Sequence, residues 1–583
     1  MKNQYIIETI ETKTGDITLK VNDYFLHSKY NPKIEAQKFA ENHYEPHHVH
    51  ILFGYGLGYI VDNLKEKLKF NEPLIVIDPL FDDSLLKVQD RHKETEFEQF
   101  LYNSNSIKNL EYIVDSIKEL AFQRTFKIIS SPNYDKIFPD MYLQILKQVK
   151  DIQQKSIVNE NTINRDSEMW QKNLSENLLS IFEDRNLDKL YQVYSCPVVI
   201  ASGGPSLTKQ LPLLKEIQNN VVIIAAGSTI NSLVEYCIEP DYVVSIDGKE
   251  VNYNQFKDLH LRKAKLMYSI FNQPKIRSEF NNEAFAFTAQ SDHTVNQYLT
   301  NKLNINLPRI IGGGSVAHFA FTLAQYITSG PIALIGQDLA YTNNQTHAAN
   351  NKQAESIEES WKTSNNMFTV EGFDGEDIWT STMLYSMKLT FEQLIKEAPP
   401  KNIFYNCTEG GVRLNGFEQK NFNEFCTEYI QEEIPNKNLG LVNKAYKVSQ
   451  DEWENLKGIL EEELKDYAQI IKHLSKGLSV LEGNKSRTVF SEKALKILNK
   501  IDKEITVLYP KVQMNFIVAP ITLEVLKGFL EKENETPTEM YTRVYNQTKT
   551  LYSKLLEAAR KSKTFTEHVI ERINNEKIKK GEE

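Results

Sequence analysis

Cysteine is scarce in this chain. Four residues among 583, Cys196, Cys237, Cys407 and Cys426, stand far apart with no CxxC or CxxH spacing. That excludes a zinc ribbon and a disulfide scaffold and fits a reducing compartment. Basic charge is in short supply too: 68 Lys and Arg face 78 Asp and Glu, a formal net charge of −10. A general nucleic-acid binder would carry a basic excess on one domain, although a local basic pocket for a small anion stays compatible. No window holds the roughly 18 apolar residues that a membrane span needs. The N-terminal MKNQYIIETIETKTGD has no continuous apolar core, so no signal peptide is expected and the chain reads as cytoplasmic. The P-loop pattern GxxxxGK[ST] is missing, which removes the usual support for NTP hydrolysis. No internal repeat and no long low-complexity stretch stands out, and nothing specifies an oligomeric state.

What is present has the balance of a globular protein, 41% hydrophobic and 25% charged, in a chain too long for one core. Residues 1–45 mix β-like runs (YIIETIE, DITLKVN) with polar loops. VHILFGYGLGYIVDNLKEKL then gives an apolar strand, Gly54-x-Gly56-x-Gly58 and an amphipathic helix pattern, and EPLIVIDPL follows. This β-glycine-α-β-acid unit has the logic of a nucleotide-binding Rossmann-like half, with Asp78 placed for a ribose. Its spacing is GxGxG rather than GxGxxG, and glycines that merely let the helix pack on the sheet would look the same. KIIS near 127–130 is a further strand. DSEMWQKNLSENLLSIFEDRNLDKLYQVY is a connector helix that ends near residue 190.

From residue 196 short apolar runs alternate with glycine-rich turns: PVVIASGG, NVVIIAAGS, DYVVSIDG, KLMYSIF, AFAFTAQ and PIALIGQD. Helical patterns fall between several of them, which predicts a parallel α/β sheet with ligands at the carboxyl ends of its strands. Beyond 440 apolar residues recur at three- and four-residue steps without a sustained heptad, so a helical bundle is expected there. The expected organisation is an N-terminal α/β Rossmann-like domain with its connector (1–190), a central α/β domain (191–430) and an all-α C-terminal domain (431–583).

Four clusters interrupt the central strands: Ser202-Gly203-Gly204-Pro205-Ser206; Gly227-Ser228-Thr229 with Asn231; Ser245-Ile246-Asp247-Gly248; and Gly312-Gly313-Gly314-Ser315. Strand, glycines and helix start are the usual means of bringing backbone N–H groups to a phosphate. Tight turns alone would account for any one cluster, less readily for four. Gln337 and Asp338 end the run IALIG and are expected in the same crevice. His347 follows in a polar loop, where an imidazole suits a general base. Asp247 and Glu409 are the other candidate bases.

In this order, SGGPSL, AAGSTINSL, PDYVVSIDG, GGGSVAHFAFTLA, GQDLAYTNNQTHA and NCTEGGVRLNG resemble the motility-accessory-factor (Maf) flagellin glycosyltransferases over roughly residues 196–420. GYGLGY and LIVIDP resemble that family's N-terminal domain. The resemblance implies transfer of a nonulosonic acid, pseudaminic or legionaminic, from a CMP-activated donor to flagellin Ser/Thr, in the service of motility. It implies a central domain similar to bacterial sialyltransferases of GT-A-like fold, whose GNGPSL loop has Asn where this chain has Gly203. The donor phosphate would lie against the Ser202–Ser206 backbone, Gly227, Ser228 and Asn231, with Thr229, Gly313, Gly314, Ser315, Gln337 and Asp338 nearby. No cofactor beyond the CMP-sugar substrate is implied. Departing CMP carries less charge than a nucleoside diphosphate, so a metal is less necessary and the absence of a DxD motif fits; none is assigned. His347 or Asp247 would accept the acceptor proton, with inversion by single displacement.

The central domain is also similar to 6-hydroxymethylpterin pyrophosphokinases. Those need ATP and magnesium, and would make Asp247 and Asp338 metal-binding candidates. A non-catalytic flagellin-binding factor and, from GYGLG and Asp78 alone, an S-adenosylmethionine-dependent methyltransferase complete the alternatives.

Overall fold

The computed structural model describes residues 5–69, 72–80, 101–103, 125–349, 351, 354–365, 367–397, 402–430, 448–530 and 535–581. The chain forms two compact units, one of Met1–Asp166 with Thr522–Glu535, the other of Ser167–Ile521 with Thr536–Glu583.

The first unit opens with an antiparallel meander of β1 (Ile7–Glu11), β2 (Ile17–Val21) and β3 (Tyr24–Phe25). Residues 31–43, read above as polar loop, fold as a helix, Pro32–His43. The Asn31 side chain accepts the Ile34 N–H, and Pro32 supplies a preset φ in the first turn. A parallel sheet follows in the order β6-β5-β4-β7, from β4 (His48–Phe53), β5 (Leu74–Asp78), β6 (Leu101–Asn103) and β7 (Thr125–Ser130). The Rossmann-like half is therefore present.

The ribose role of Asp78 does not hold. The carboxylate is buried and accepts the N–H groups of Tyr55 (2.8 Å), Gly56 (3.2 Å) and Leu80 (2.7 Å) and the Tyr134 hydroxyl (3.0 Å). It ties down the glycine loop from within, and burial raises its pKa. Gly54, Gly56 and Gly58 all have positive φ, and a Cβ on them would strike Tyr134, His27 and Tyr55. Their conformations and close contacts are what glycine permits, and the methyltransferase reading loses its acidic residue.

The second unit holds a nine-stranded, wholly parallel sheet. Six strands match the apolar runs: β8 (Val198–Ala201), β9 (Val222–Ala226), β10 (Tyr242–Ser245), β11 (Lys265–Ser269), β12 (Ala284–Ala289) and, after the short β13 (Arg309–Ile310), β14 (Ile332–Ile335). β15 (Phe368–Glu371) and β16 (Asp377–Thr380) form a separate hairpin with no counterpart in the sequence reading. β17 (Phe404–Asn406) and β18 (Glu418–Gln419) complete the sheet, in the order β13-β12-β11-β10-β9-β8-β14-β17-β18.

Alternate strand residues enter two cores. Val199, Ala201, Ile223 and Ala225 pack with Leu207, Leu211 and Leu214 on one face. Val198, Ile200, Val222 and Ile224 pack with Phe319, Ala320 and Leu323 on the other. A sheet covered on both faces explains why its strands read as continuous apolar runs.

The helices Gln450–Glu482, Glu492–Leu508 and Pro537–Gly581 belong to the same unit. Ser449 and Glu452 form a capping box that starts the first. It runs antiparallel to the last, with Tyr541 meeting Asn484 and Lys549 meeting Glu482, while the Gly477 backbone packs on the Tyr552 ring.

Candidate active site

Strand order places the site. From β8 the chain builds outward through β9 to β13, then returns to lay β14 against the other side of β8. The connection after β8 leads to the helix Leu207–Ile217 on one face of the sheet and that after β14 to the helix Thr382–Glu397 on the other, the kind of switch point at which open α/β sheets bind ligands. A cleft of about 170 Å³ lies there, lined by Ser202, Gly203, Gly204, Pro205, Ser228, Thr229, Ser315, Gln337, Asp338 and His347, all singled out above. Val316, Ala317, Leu339, Ala340, Thr346, Leu384 and Met387 also line it. A larger cavity of about 540 Å³, lined by Arg185, Asn304, Pro308 and Tyr326 among others, opens near the amino ends of the strands, where none of the motifs falls.

The SGGPS loop is tightly committed. Ser202 N–H donates to Ile335 O (3.0 Å) and Gly204 N–H to Gly336 O (2.8 Å). Ser206 N–H lies 3.2 Å from both carboxylate oxygens of Asp338, and its hydroxyl donates to the same group at 2.8 Å. Pro205 has no N–H. Among the described residues only the Gly203 N–H of this loop lacks an acceptor, so the expected backbone cradle reduces to one donor. A Cβ on Gly204 would lie 2.4 Å from Asp338 Oδ2 and 2.5 Å from Gly336 O, so the loop can approach β14 this closely only with glycine there. The Ser202 hydroxyl donates to Gln337 Oε1 (2.6 Å), and Gln337 N–H donates to the buried Thr408 hydroxyl (3.2 Å). Burial raises the pKa of Asp338 against the hydrogen bonds from Thr342 and Ser206 that lower it.

Two hydroxyls face the cleft with protons to give. Ser315 caps the helix Val316–Ile327 by accepting the Ala317 N–H (3.1 Å), which leaves its own proton free. Ser228 makes no side-chain hydrogen bond among the described residues, whereas Thr229 donates its proton to Ala226 O (2.8 Å). His318, buried beneath the cleft, donates Nε2–H to Met387 O (3.0 Å) and so fixes the helix Thr382–Glu397 that supplies Leu384 and Met387. Burial lowers its pKa to about 4, and it stays neutral at physiological pH.

The remaining candidates stand back from the lining. Ser206 anchors the loop beneath it. Gly227 turns at φ +55° against Val316, with its N–H bonded to Val244 O. Asn231 donates to Ser228 O and Gln255 O (both 3.2 Å). Gly313 packs against Thr390 and His318, while Gly314 faces open space. Asp247 is exposed beyond β10, accepting Lys249 N–H at 3.0 Å. Glu409, at φ +54°, accepts Phe422 N–H (2.8 Å) and the Asn421 amide (3.0 Å) at the start of the helix Phe422–Tyr429. Of the three candidate bases only His347 lines the cleft. Its segment is strapped over the SGGPS loop by Ala348 N–H to Gly203 O (2.9 Å) and Ala349 N–H to the Thr208 hydroxyl (3.0 Å). Leu384 and Met387 had no local signal in the sequence, because an ordinary amphipathic helix far along the chain brings them in.

A doubly covered parallel α/β sheet with a glycine- and hydroxyl-lined cleft at its switch point defines the class: a Rossmann-like domain. Residues 172–344 match the family described as 6-hydroxymethylpterin diphosphokinase MptE-like. In fold the chain is similar to the Maf glycosyltransferase from Magnetospirillum magneticum AMB-1, with a TM-score of 0.51 over 98% of this chain and 92% of that one, at 12% identity. No protein with a curated description matches the sequence. The family resemblance read from the ordered motifs and the likeness of the folds point the same way.

Proposed function

We propose that this protein is a glycosyltransferase that moves a nonulosonic acid, pseudaminic or legionaminic, from a CMP-activated donor to Ser/Thr hydroxyls of flagellin. The observation that carries the proposal is the cleft, assembled at the switch point from four of the motifs that resemble the Maf family, in a chain with that fold. The Gly203 N–H and the Ser228 and Ser315 hydroxyls hold the donor phosphate, helped by the positive end of the twelve-residue helix Val316–Ile327. The acceptor oxygen attacks the anomeric carbon as the bond to the phosphate oxygen breaks. CMP leaves with the bonding electrons, through an oxocarbenium-like transition state. His347 takes the hydroxyl proton, and these fixed donors stabilise the departing charge without reorganising. The displacement inverts the anomeric centre.

The diphosphokinase reading draws on the family match at 172–344. It would make Asp247 and Asp338 metal-binding candidates. They follow β10 and β14, three strand spacings apart in the sheet, or about 14 Å at ~4.8 Å per spacing. Asp338 is moreover bound to Ser206. Calorimetric titration with CMP and with ATP plus magnesium separates the two readings. CMP is expected to bind, and Ser228→Ala and Ser315→Ala to weaken it at least tenfold. Binding of ATP with magnesium but not CMP would replace the glycosyltransferase reading with the diphosphokinase.

A further inference from the structure

The cleft is smaller than the pockets of 300–1,000 Å³ that enclose a whole small ligand. A donor seated there leaves part of the reacting pair outside, on the rim. That rim carries unusual side chains. Trp361 and Trp379 are 38% and 37% exposed and Met383 is 64% exposed. Of the other two tryptophans, Trp453 is buried and Trp170 packs against Phe271 and Phe516.

Both exposed tryptophans are fastened to the cleft wall. Trp379 O accepts the Tyr341 N–H (2.9 Å), and the next residue, Thr380, donates its hydroxyl to Leu339 O (2.8 Å), where Leu339 is itself a lining residue. Trp361 meets the Tyr341 ring edge-on at 5.4 Å. The Lys362 ammonium lies 5.2 Å over the Trp379 ring and steadies it from the side. Met383 begins the helix that sends Leu384 and Met387 into the cleft.

We propose that this tryptophan and methionine rim docks the acceptor polypeptide, through apolar side chains next to the hydroxyl that receives the sugar. This inference rests on the glycosyltransferase reading and names the surface its acceptor uses. Aromatic residues and methionine are the types enriched where proteins bind proteins, and methionine adapts to varied partners. The rim adjoins the cleft, since Thr380 beside Trp379 bonds the lining residue Leu339 and Met383 precedes the lining residue Leu384.

Two synthetic peptides test this, each with one central serine, one flanked by Val, Leu and Phe and the other by Gly and Asn. Binding to the full-length protein is read by tryptophan emission, and transfer by KM with a CMP-nonulosonic acid donor. The apolar peptide is expected to bind at least tenfold tighter and to shift emission to the blue. Trp361→Ala and Trp379→Ala should each raise its Kd and KM tenfold or more with kcat nearly unchanged, and Trp379→Phe should restore most of the loss. Equal affinity for the two peptides, or alanine variants that bind the apolar peptide like the wild type, overturns the proposal. A wild-type protein that binds the apolar peptide this way yet transfers nothing from the CMP donor overturns the glycosyltransferase reading and leaves the peptide dock standing.

Discussion

Asp338 offers the sharpest test of how the cleft is held. Its carboxylate accepts the Ser206 N–H and hydroxyl and a hydrogen bond from Thr342, all in a buried setting. Asp338→Ala strips the acceptor from both Ser206 donors. At ~1–3 kcal/mol for each orphaned buried group, the loop should lose about 2–6 kcal/mol. Asp338→Asn keeps an oxygen to accept the Ser206 donors but sets an amide donor against the Thr342 hydroxyl, and should lose less than the alanine variant. The two also differ with pH. Burial raises the carboxyl's pKa, so the native state keeps a proton that the unfolded chain releases near pH ~3.9. Below that pH the contribution of this group is full. From there up to the raised native value it declines as pH rises, by up to ~1.4 kcal/mol per pH unit. The asparagine variant has no such slope. Hydrogen exchange of peptides spanning residues 202–211, followed from pH 4 to 8 and corrected for intrinsic rates, reads both effects. The alanine variant should lose protection by roughly thirtyfold or more. The advantage of the wild type over asparagine should shrink as pH rises. An asparagine variant that exchanges as fast as alanine, or an advantage that grows with pH, would refute this reasoning.

Gly204→Ala drives a Cβ to 2.4 Å from Asp338 Oδ2 and 2.5 Å from the Gly336 carbonyl, so calorimetry should show CMP affinity falling at least tenfold. Asp78→Ala orphans the donors that converge on that carboxylate, at ~1–3 kcal/mol each. Protection of residues 48–78 should collapse while CMP affinity is unchanged, because the two sites lie in separate compact units. In the helix Gln450–Glu482, Gly477→Ala sets a Cβ 2.3 Å from the buried Tyr552 ring and should cost about 1–3 kcal/mol. Gly458→Ala meets nothing within 4 Å and should stabilise the same helix by ~0.5–1 kcal/mol. Thermal midpoints that move alike for these two glycines would contradict the packing described.

The central sheet was legible because parallel strands buried on both faces leave uninterrupted apolar runs, and six of those runs are strands. The cleft motifs were legible because several glycine and hydroxyl clusters end strands of one sheet, although Ser245–Gly248, with the same texture, lies outside the cleft. Partners fixed by tertiary contact were not legible. Asp78 has the spacing of a ribose-binding acid, yet Tyr134, 56 residues on, helps to engage its carboxylate. Glu409 looked like a base beside two glycines, but the helix beginning at Phe422 engages its carboxylate through the Phe422 N–H and the Asn421 amide. The backbone cradle expected of SGGPS failed because β14 takes its N–H groups, and the order of strands across a switch point is not written in local sequence. The hairpin β15–β16 was missed because its strands, FTVE and DIWT, are short and half exposed and carry no hydrophobic run.

The most direct test is to incubate the purified protein with flagellin and CMP-pseudaminic or CMP-legionaminic acid, and to weigh the flagellin by intact mass spectrometry beside the His347→Ala variant. We expect one nonulosonic acid residue to be added for each CMP released, and the variant to lose transfer by at least a hundredfold, within the ~10²–10⁴ that general base catalysis contributes, while still binding CMP. Unmodified flagellin in the presence of protein that binds CMP would contradict the transfer itself. Full activity in the His347→Ala variant would remove the only one of the three candidate bases that lines the cleft.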